Sequence, residues 1–436
     1  MATDQHTNDR LRVVILNQYY APDVASTGQL LHELAHELAR QDLDVKVITC
    51  RPSYGPPETW KPCPRHEVSG GVEVRRMLST RFSKDNLIGR LTNIATFLGN
   101  LSVRMLFSRG RRNVFLYTSN PPFLAIIGAL VSLIRHHKYV VLLHDAYPDV
   151  AVWVGKIKSG SLIERVWHRV NRFFYRRAEQ TIVLCEAAKR LVCDHYGVDP
   201  SRVHVVHNWA NADLLKPKPK HESTFAQEHG LVEPFTVLYS GNIGLYYDFD
   251  TALGAAEILK NENFRLVIIG GGGRKQWVAD EIKRRSLTNT LLLPYQPYEK
   301  LPESLTACDA SLVTIAKGIE GISFPSKLYS TLSVGRAVLA LAEPESEMRR
   351  MIEDNDAGRF SAVGDPEALA QVIREMMADP ARCERQGRNA RAFFEREFTI
   401  AAAGAKYARV LRDAYPGEGQ SAESRGAVAE PQADAA

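Results

Sequence analysis

Residues 11–50 read LRVVILNQYYAPDVASTGQLLHELAHELARQDLDVKVITC. Leu11–Asn17 is an apolar, β-branched run of strand length. A polar loop with Pro and Gly follows. Thr27–Arg40 then sets Leu30, Leu31, Leu34 and Leu38 on one face of a helix. Val45–Cys50 is a second β-like run. Strand, helix and strand in this order make a crossover unit, whose two strands lie parallel in one sheet.

The same rhythm extends along the chain. Val114–Thr118, Tyr139–His144, Gln180–Leu184 and Val203–His207 read as strands, with helical patterns between them. After the Lys/Pro stretch Lys216–Lys220 the alternation restarts. Strands are expected at Phe235–Ser240, Phe264–Ile269, Thr290–Leu293, Ala310–Thr314 and Ala337–Leu341, and helices at Asp248–Lys260 and from Pro325. The end reads as helices over Asp365–Ala378, Arg382–Phe398 and Ala401–Asp413. The expectation is an α/β chain of two facing Rossmann-like domains with parallel sheets and a cleft between them. Their expected bounds are 11–212 and 235–398, with a linker region at 213–234. A helix at 399–415 is expected to pack back on the first domain. Residues 1–10 and 416–436 are expected to be disordered; the second stretch is Gly, Ser, Glu and Ala rich without an aromatic residue.

Composition excludes several classes. The 436 residues are 45% hydrophobic and 24% charged, so the chain is neither collagen-like nor mainly disordered. Its longest apolar run, Phe123–Ile134, is too short to span a bilayer. The six cysteines are scattered with no Cys-x-x-Cys spacing, so no metal site and no disulfide framework is expected. The polar start offers no signal-peptide core, which points to the cytoplasm.

The net charge of +5 hides an uneven distribution. Residues 1–210 hold 28 basic and 18 acidic residues; the rest hold 27 and 32. Two basic stretches, Arg81–Arg112 and Lys156–Arg177, account for the excess. Trp167, Phe173, Phe174 and Tyr175 interleave the second. Such a face suits the anionic inner surface of a cytoplasmic membrane, with the chain held there peripherally. The other reading is two solvated helices whose aromatics are core. No nucleic-acid-binding motif accompanies the charge, so nucleic acid is not an expected partner.

Lys317–Gly335, KGIEGISFPSKLYSTLSVG, carries the chemistry. It follows a strand. Pro325 is placed to open a helix, which would put Ser326 and Lys327 in its first turn, where backbone N–H groups and an ammonium suit phosphate. A plain loop-to-helix turn with a solvated lysine is the other reading. This stretch resembles the donor-site motif of the retaining GT-B glycosyltransferases, the family that includes sucrose synthase and the phosphatidylinositol mannosyltransferases. It is most similar to the bacterial branch that builds exopolysaccharide, colanic-acid-type and O-antigen chains. Further stations match in order: Gln18–Gly28, His144–Asp145, Val205–Asn208, Leu238–Gly244 and Ile268–Gly272.

The resemblance implies a GT-B fold and sugar transfer from a nucleotide-diphosphate donor, a UDP- or GDP-sugar, with no cofactor and no metal. The implied acceptor is a saccharide, and by analogy one carried on polyprenyl diphosphate. It implies donor contacts from Gly241, Asn242, Ile243, Gly244, Ser326 and Lys327 around the diphosphate, with Gly321 and Ile322 beside them. Gly271, Gly272 and Tyr295 are candidates for the base. Ser26, Thr27 and Gly28 come close to the reacting centre, His144 lies against the sugar, and Glu320 holds its hydroxyls. Asp145 is either a catalytic neighbour of His144 or a turn cap, and without the resemblance His144 itself reads as a hydrogen-bonded strand-end residue. Asp23 and Asp149, loop acids after strands, read as turn residues, with acceptor contacts the other reading. The family's second glutamate falls at Ser330, and the Arg and Lys usual after the glycine turn are missing; Tyr246, Tyr247 and Asp248 follow it. Lys327 is therefore expected to neutralise the diphosphate. The incomplete glutamate pair leaves open a non-catalytic nucleotide-sugar-binding partner, and the fold leaves open a sugar-nucleotide epimerase. The Gly270–Gly273 run is followed by a strand that ends in Pro294 rather than an acid, which argues against a dinucleotide cofactor.

Overall fold

The computed structural model describes residues 10–415 except 24, 55–57, 59, 83–86 and 109–111. Residues 1–9 and 416–436 of the expected disordered ends lie outside the described residues, as do Lys84, Asp85, Arg109 and Arg111 of the first basic stretch.

The first half runs β1 (Arg12–Leu16), α1 (Ser26–Arg40), β2 (Asp44–Cys50), β3 (His66–Ser69), β4 (Val72–Met77), α2 (Leu87–Leu106), β5 (Asn113–Thr118), α3 (Leu124–Arg135), β6 (Lys138–Leu143), α4 (Asp149–Trp153), α5 (Leu162–Arg177), β7 (Gln180–Val183), α6 (Glu186–Tyr196) and β8 (Val203–Val205). The second half runs α7 (Thr224–Glu228), β9 (Phe235–Asn242), α8 (Phe249–Ile258), β10 (Phe264–Gly271), α9 (Lys275–Arg284), β11 (Thr290–Leu293), α10 (Leu301–Leu305), β12 (Ala310–Thr314), α11 (Lys327–Ser333), β13 (Ala337–Ala342), α12 (Glu347–Asp354), β14 (Gly358–Ala362), α13 (Pro366–Ala378), α14 (Pro380–Glu397) and α15 (Ile400–Asp413).

These strands form two sheets, an eight-stranded one of order β3-β4-β2-β1-β5-β6-β7-β8 and a six-stranded one of order β11-β10-β9-β12-β13-β14. Only β3 is antiparallel, paired with β4. With β3 set aside, both sheets have the doubly wound order. It reverses between β1 and β5 in one sheet and between β9 and β12 in the other, and ligand crevices open at the strand C-termini of such reversals. The chain is thus two Rossmann-like domains.

Three strands escape the periodicity argument. In β3 and β4 the charged Glu67, Glu73, Arg75 and Arg76 break the apolar alternation, and Gly70 and Gly71 turn the pair at φ +55° and +80°. β14 (GRFSA) is a polar edge strand. The core of α1 follows the sequence pattern: Leu31, Leu34 and Leu38 are buried against β1 and β2, each worth roughly 1.5–3 kcal/mol of apolar burial. Tyr407 and Leu411 of α15 join that same core, and Arg412 donates to the Gln41 carbonyl at 2.6 Å. The last helix therefore packs on the first domain. The Lys/Pro stretch is docked on the second: Lys218 pairs with Glu303 at 2.6 Å and Lys220 with Asp309 at 2.5 Å.

The aromatic residues of the second basic stretch belong mostly to the interior. Phe174 and Tyr175 are buried, and Trp167 stacks on Phe123 at 4.4 Å between ring centroids. Phe173 alone of the four is exposed. Among the described residues, more than half of the exposed large apolar side chains lie on the adjacent helices α2, α3 and α5, at Ile88, Leu91, Val103, Leu133, Ile134 and Leu162 among others. Among the described residues no helix is long and apolar enough to cross a membrane.

Candidate functional site

β9 and β10 run side by side into two glycine turns, with Gly241 in register with Gly270 and Asn242 with Gly271. Gly241, Gly270 and Gly272 have φ of +142°, +153° and +145°. A Cβ on Gly270 would run into the Gly241 carbonyl, and one on Gly272 would lie 2.5 Å from the Ile243 oxygen. Glycine is therefore required where the two backbones touch. The turns are stitched by Ile243 N–H to Gly271 O at 2.7 Å and Arg274 N–H to Ile243 O at 2.9 Å. Ile243 is buried, Asn242 exposed and Gly244 half-buried beside it. Beyond β11, the exposed Tyr295 donates its hydroxyl to Gly271 O at 3.1 Å.

Lys327 closes the other side of this turn. The helix starts at Lys327, not Pro325, and spans seven residues; Ser326 is its exposed N-cap and makes no side-chain cap bond. The anion-binding character expected of this stretch thus falls on Lys327 itself. Its side chain lies against Gly241, where a Cβ would collide with it. Its Nζ sits 3.7 Å from the Tyr247 ring centroid and 5.1 Å from that of Tyr239. Among the described residues no carboxylate pairs with it, and burial lowers its amine to about 7. An aromatic cradle holds a cation without neutralising it. Ser330, at the position of the missing glutamate, spends its hydroxyl on the Lys327 carbonyl at 2.9 Å.

The first domain meets this site with the loop after β6. Ser119, just past β5, accepts from the backbone N–H groups of His144 at 3.0 Å and Asp145 at 3.2 Å. Burial pushes the His144 imidazole down to about 4, and its Nε2 is buried without a hydrogen-bond partner among the described residues. Burial raises the Asp145 carboxyl, which accepts from Ser323 Oγ across the cleft at 3.1 Å. Ala146 N–H donates to Ile322 O at 2.9 Å, and Trp153 Nε1 to Lys317 O at 3.2 Å. Gly321, at φ +80°, lies so close to Ala187 that a Cβ would meet its backbone at 3.1 Å.

Glu320 is partly committed. Its Oε1 accepts from Glu347 N–H at 2.7 Å, at the start of α12. Glu347 in turn accepts from Glu186 N–H at 2.6 Å, and burial raises its carboxyl.

The structure brings most of the expected residues to one cleft. Burial raises the Tyr247 phenol to about 12, with Asp145 and Tyr295 adding to it, so Tyr247 links Lys327 to both sides. Ser26 and Thr27 open α1 on the first domain; Gly28 lets α1 approach the Tyr19–Tyr20 backbone, 3.1 Å from where its Cβ would be. Asp23 accepts from the Ser53 and Tyr54 N–H groups and is a loop staple. Asp149 does not serve the cleft. It lies with His168 and His195, a grouping whose geometry suits a metal ion although no motif announced one. Sequence reasoning missed Ser119, Ser323 and Glu347. Ser119 could have been found by placing β5 beside β6; the other two need the docking of the domains.

The comparisons agree with this fold. The Glycosyl transferases group 1 family matches residues 222–393, and the Glycosyl transferase 4-like domain matches residues 27–209. The probable glycosyltransferase WbjE of Pseudomonas aeruginosa is 27% identical over 84% of this chain and 89% of its own length. The putative colanic acid biosynthesis glycosyl transferase WcaI of Escherichia coli K12 is 22% identical over 79% and 86%. Among solved structures, Anabaena Alr3699/HepE in complex with UDP superposes with a TM-score of 0.67 at 17% identity, over 92% of this chain and 99% of that one. The chain belongs to the group 1 glycosyltransferases of GT-B fold, an enzyme related to those of bacterial polysaccharide synthesis.

Proposed function

We propose that this enzyme is a retaining glycosyltransferase that moves a sugar from a UDP- or GDP-sugar to a lipid-linked saccharide in cell-surface polysaccharide synthesis. The observation that carries the donor reading is Lys327: a half-buried lysine without a carboxylate partner among the described residues, pressed against a glycine turn at the reversal of a doubly wound sheet. A diphosphate is the chemistry that position favours. The UDP held by Alr3699/HepE supports a nucleotide partner.

In this reading Gly241–Gly244 and Lys327 hold the diphosphate, and Gly271, Gly272 and Tyr295 border the base. Glu320 and His144 contact the sugar. Charge developing on the leaving diphosphate is stabilised by the ammonium and by fixed N–H groups. The acceptor hydroxyl attacks on the leaving-group face, its oxygen bonding to the anomeric carbon as the bond to phosphate oxygen breaks. That phosphate oxygen takes the acceptor proton. The step needs no metal. The bonds Ala146–Ile322, Asp145–Ser323 and Trp153–Lys317 hold the cleft closed against water.

The acceptor reading rests on α2, α3 and α5. Exposed aliphatic residues there alternate with Arg90, Arg165, Arg169 and Arg172, a combination suited to an anionic bilayer surface where a polyprenyl carrier resides.

The test is a thermal-shift panel of UDP-, GDP- and ADP-sugars, followed by nucleoside-diphosphate release with lipid-linked and free acceptors. One donor class should raise the midpoint, and the lipid-linked acceptor should be preferred. No shift and no release with any donor would refute the transferase reading. An anomerically inverted product would refute retention. Epimerised donor without acceptor would assign the fold to an epimerase.

A further inference from the structure

Outside the cleft, three helices of the first domain converge on one point. Asp149 opens α4, Glu164 and His168 occupy successive turns of α5, and His195 stands near the end of α6. One ligand-type atom from each of Asp149, His168 and His195 lies within 4.8 Å of the others. His168 Nε2 is 3.9 Å from Asp149 Oδ1 and 3.8 Å from Glu164 Oε1. Those separations exceed hydrogen-bond range. They are instead about half an ångström longer than the ~3.4 Å between ligand atoms of a tetrahedral zinc ion.

The surroundings fit a ligand set. His168 Nδ1 lies 3.1 Å from the Tyr196 hydroxyl, which also accepts from the buried Asn171 amide at 3.0 Å. A proton on Nδ1 donated to that oxygen leaves the Nε2 lone pair facing the carboxylates, as in metal-bound histidines. Asp149 Oδ2 is buried without a hydrogen-bond partner among the described residues. A buried carboxylate oxygen with no donor is costly unless a cation meets it. Glu164 uses its other oxygen, Oε2, on Gly160 N–H at 2.5 Å, which fixes the side chain. Of the guanidinium groups beside His168 and His195, Arg165 donates to Gly160 O and Arg172 to His195 O, and Arg169 is exposed.

We propose that Asp149, Glu164, His168 and His195 bind one divalent transition ion of the zinc class, which clamps the loop after β6 to α5 and α6. That loop carries His144 and Asp145, so the ion is a positioning element rather than a participant in sugar transfer. The ligands are far apart in sequence, which is why spacing rules do not reveal them.

The experiment uses the full chain without a polyhistidine tag, stripped with chelator. Zinc is titrated calorimetrically, and cobalt is added as a spectroscopic probe of coordination geometry. The expected result is one ion per chain and a tetrahedral cobalt spectrum. Zinc should also raise the melting midpoint. His195→Ala, at an exposed position, should keep the fold and weaken zinc binding by about 30-fold or more, as should Glu164→Gln by a smaller factor of about 10. His66→Ala, remote on the sheet edge, should leave binding unchanged. The proposal is overturned if stripped protein shows no saturable zinc binding below about 100 µM, or if His195→Ala together with His168→Ala binds as the wild type does.

Discussion

The Lys327 ammonium lies 3.7 Å from the centre of the Tyr247 ring, and among the described residues no carboxylate shares it. Burial holds its amine at about 7. A bound diphosphate favours the charged form, so above pH 7 donor binding must take up a proton. Apparent donor affinity should therefore fall by up to about tenfold per pH unit above neutrality. Calorimetry at pH 8 in buffers of different ionisation enthalpy should register the proton uptake. Lys327→Met should lose the pH dependence and weaken nucleotide binding by roughly 10- to 100-fold, the worth of a charge-assisted bond. Unchanged affinity in Lys327→Met would remove Lys327 from the site.

The same residue is a burden on the ligand-free fold. Its amine is lowered from 10.5 to about 7, so between those values the unfolded chain binds more protons than the folded one. Stability attributable to Lys327 therefore rises with pH across that window, and the burial penalty is full below about 7. Lys327→Met should stabilise the ligand-free protein at pH 7 by on the order of 1–3 kcal/mol, seen as a melting midpoint higher by a few degrees. A lower midpoint would mean that the aromatic cradle contributes more than burial costs.

His144 is held neutral, with its imidazole lowered to about 4 by burial. The turnover rate should show no step near pH 6.5 from this residue. If His144 contacts the donor sugar as proposed, His144→Ala should cut turnover by about 10- to 100-fold through loss of one buried hydrogen-bonding group. Nucleoside-diphosphate release at saturating donor measures it.

Glu320 has one oxygen on Glu347 N–H. If its other oxygen serves the sugar, Glu320→Ala should lose about 100-fold or more in turnover while the free nucleoside diphosphate still raises the melting midpoint as in the wild type. Loss of both effects would make Glu320 a part of the domain contact alone.

Gly321 sits at φ +80° with Ala187 of the opposite domain 3.1 Å from a would-be Cβ. Gly321→Ala should pry the cleft at that point, lowering turnover more than nucleotide affinity and costing about 1–2 kcal/mol of stability. Small-angle scattering should report a larger radius of gyration for the variant.

Sequence alone determined the fold class and marked half of the residues of the candidate site. The apolar runs of β1, β2, β5 and β6 and of β9, β10, β12 and β13 are short, β-branched and separated by amphipathic helices. That pattern is local and survives in one dimension. The glycines at 241 and 272 and the lysine at 327 of the candidate site were legible for the same reason, the glycines at strand ends and the lysine at a helix start. The hairpin β3–β4 and the edge strand β14 were not, because at a sheet margin polar side chains are tolerated and the apolar signal fades. The tertiary structure alone decided what crosses between elements. It started α11 at Lys327 and moved Phe174 and Tyr175 into the core. It set Ser323 against Asp145 and Glu347 against Glu320, gathered Asp149, His168 and His195 from three helices, and left Glu164 beside His168. Those contacts depend on distance in space between residues far apart in the chain, and no periodicity within either partner records it.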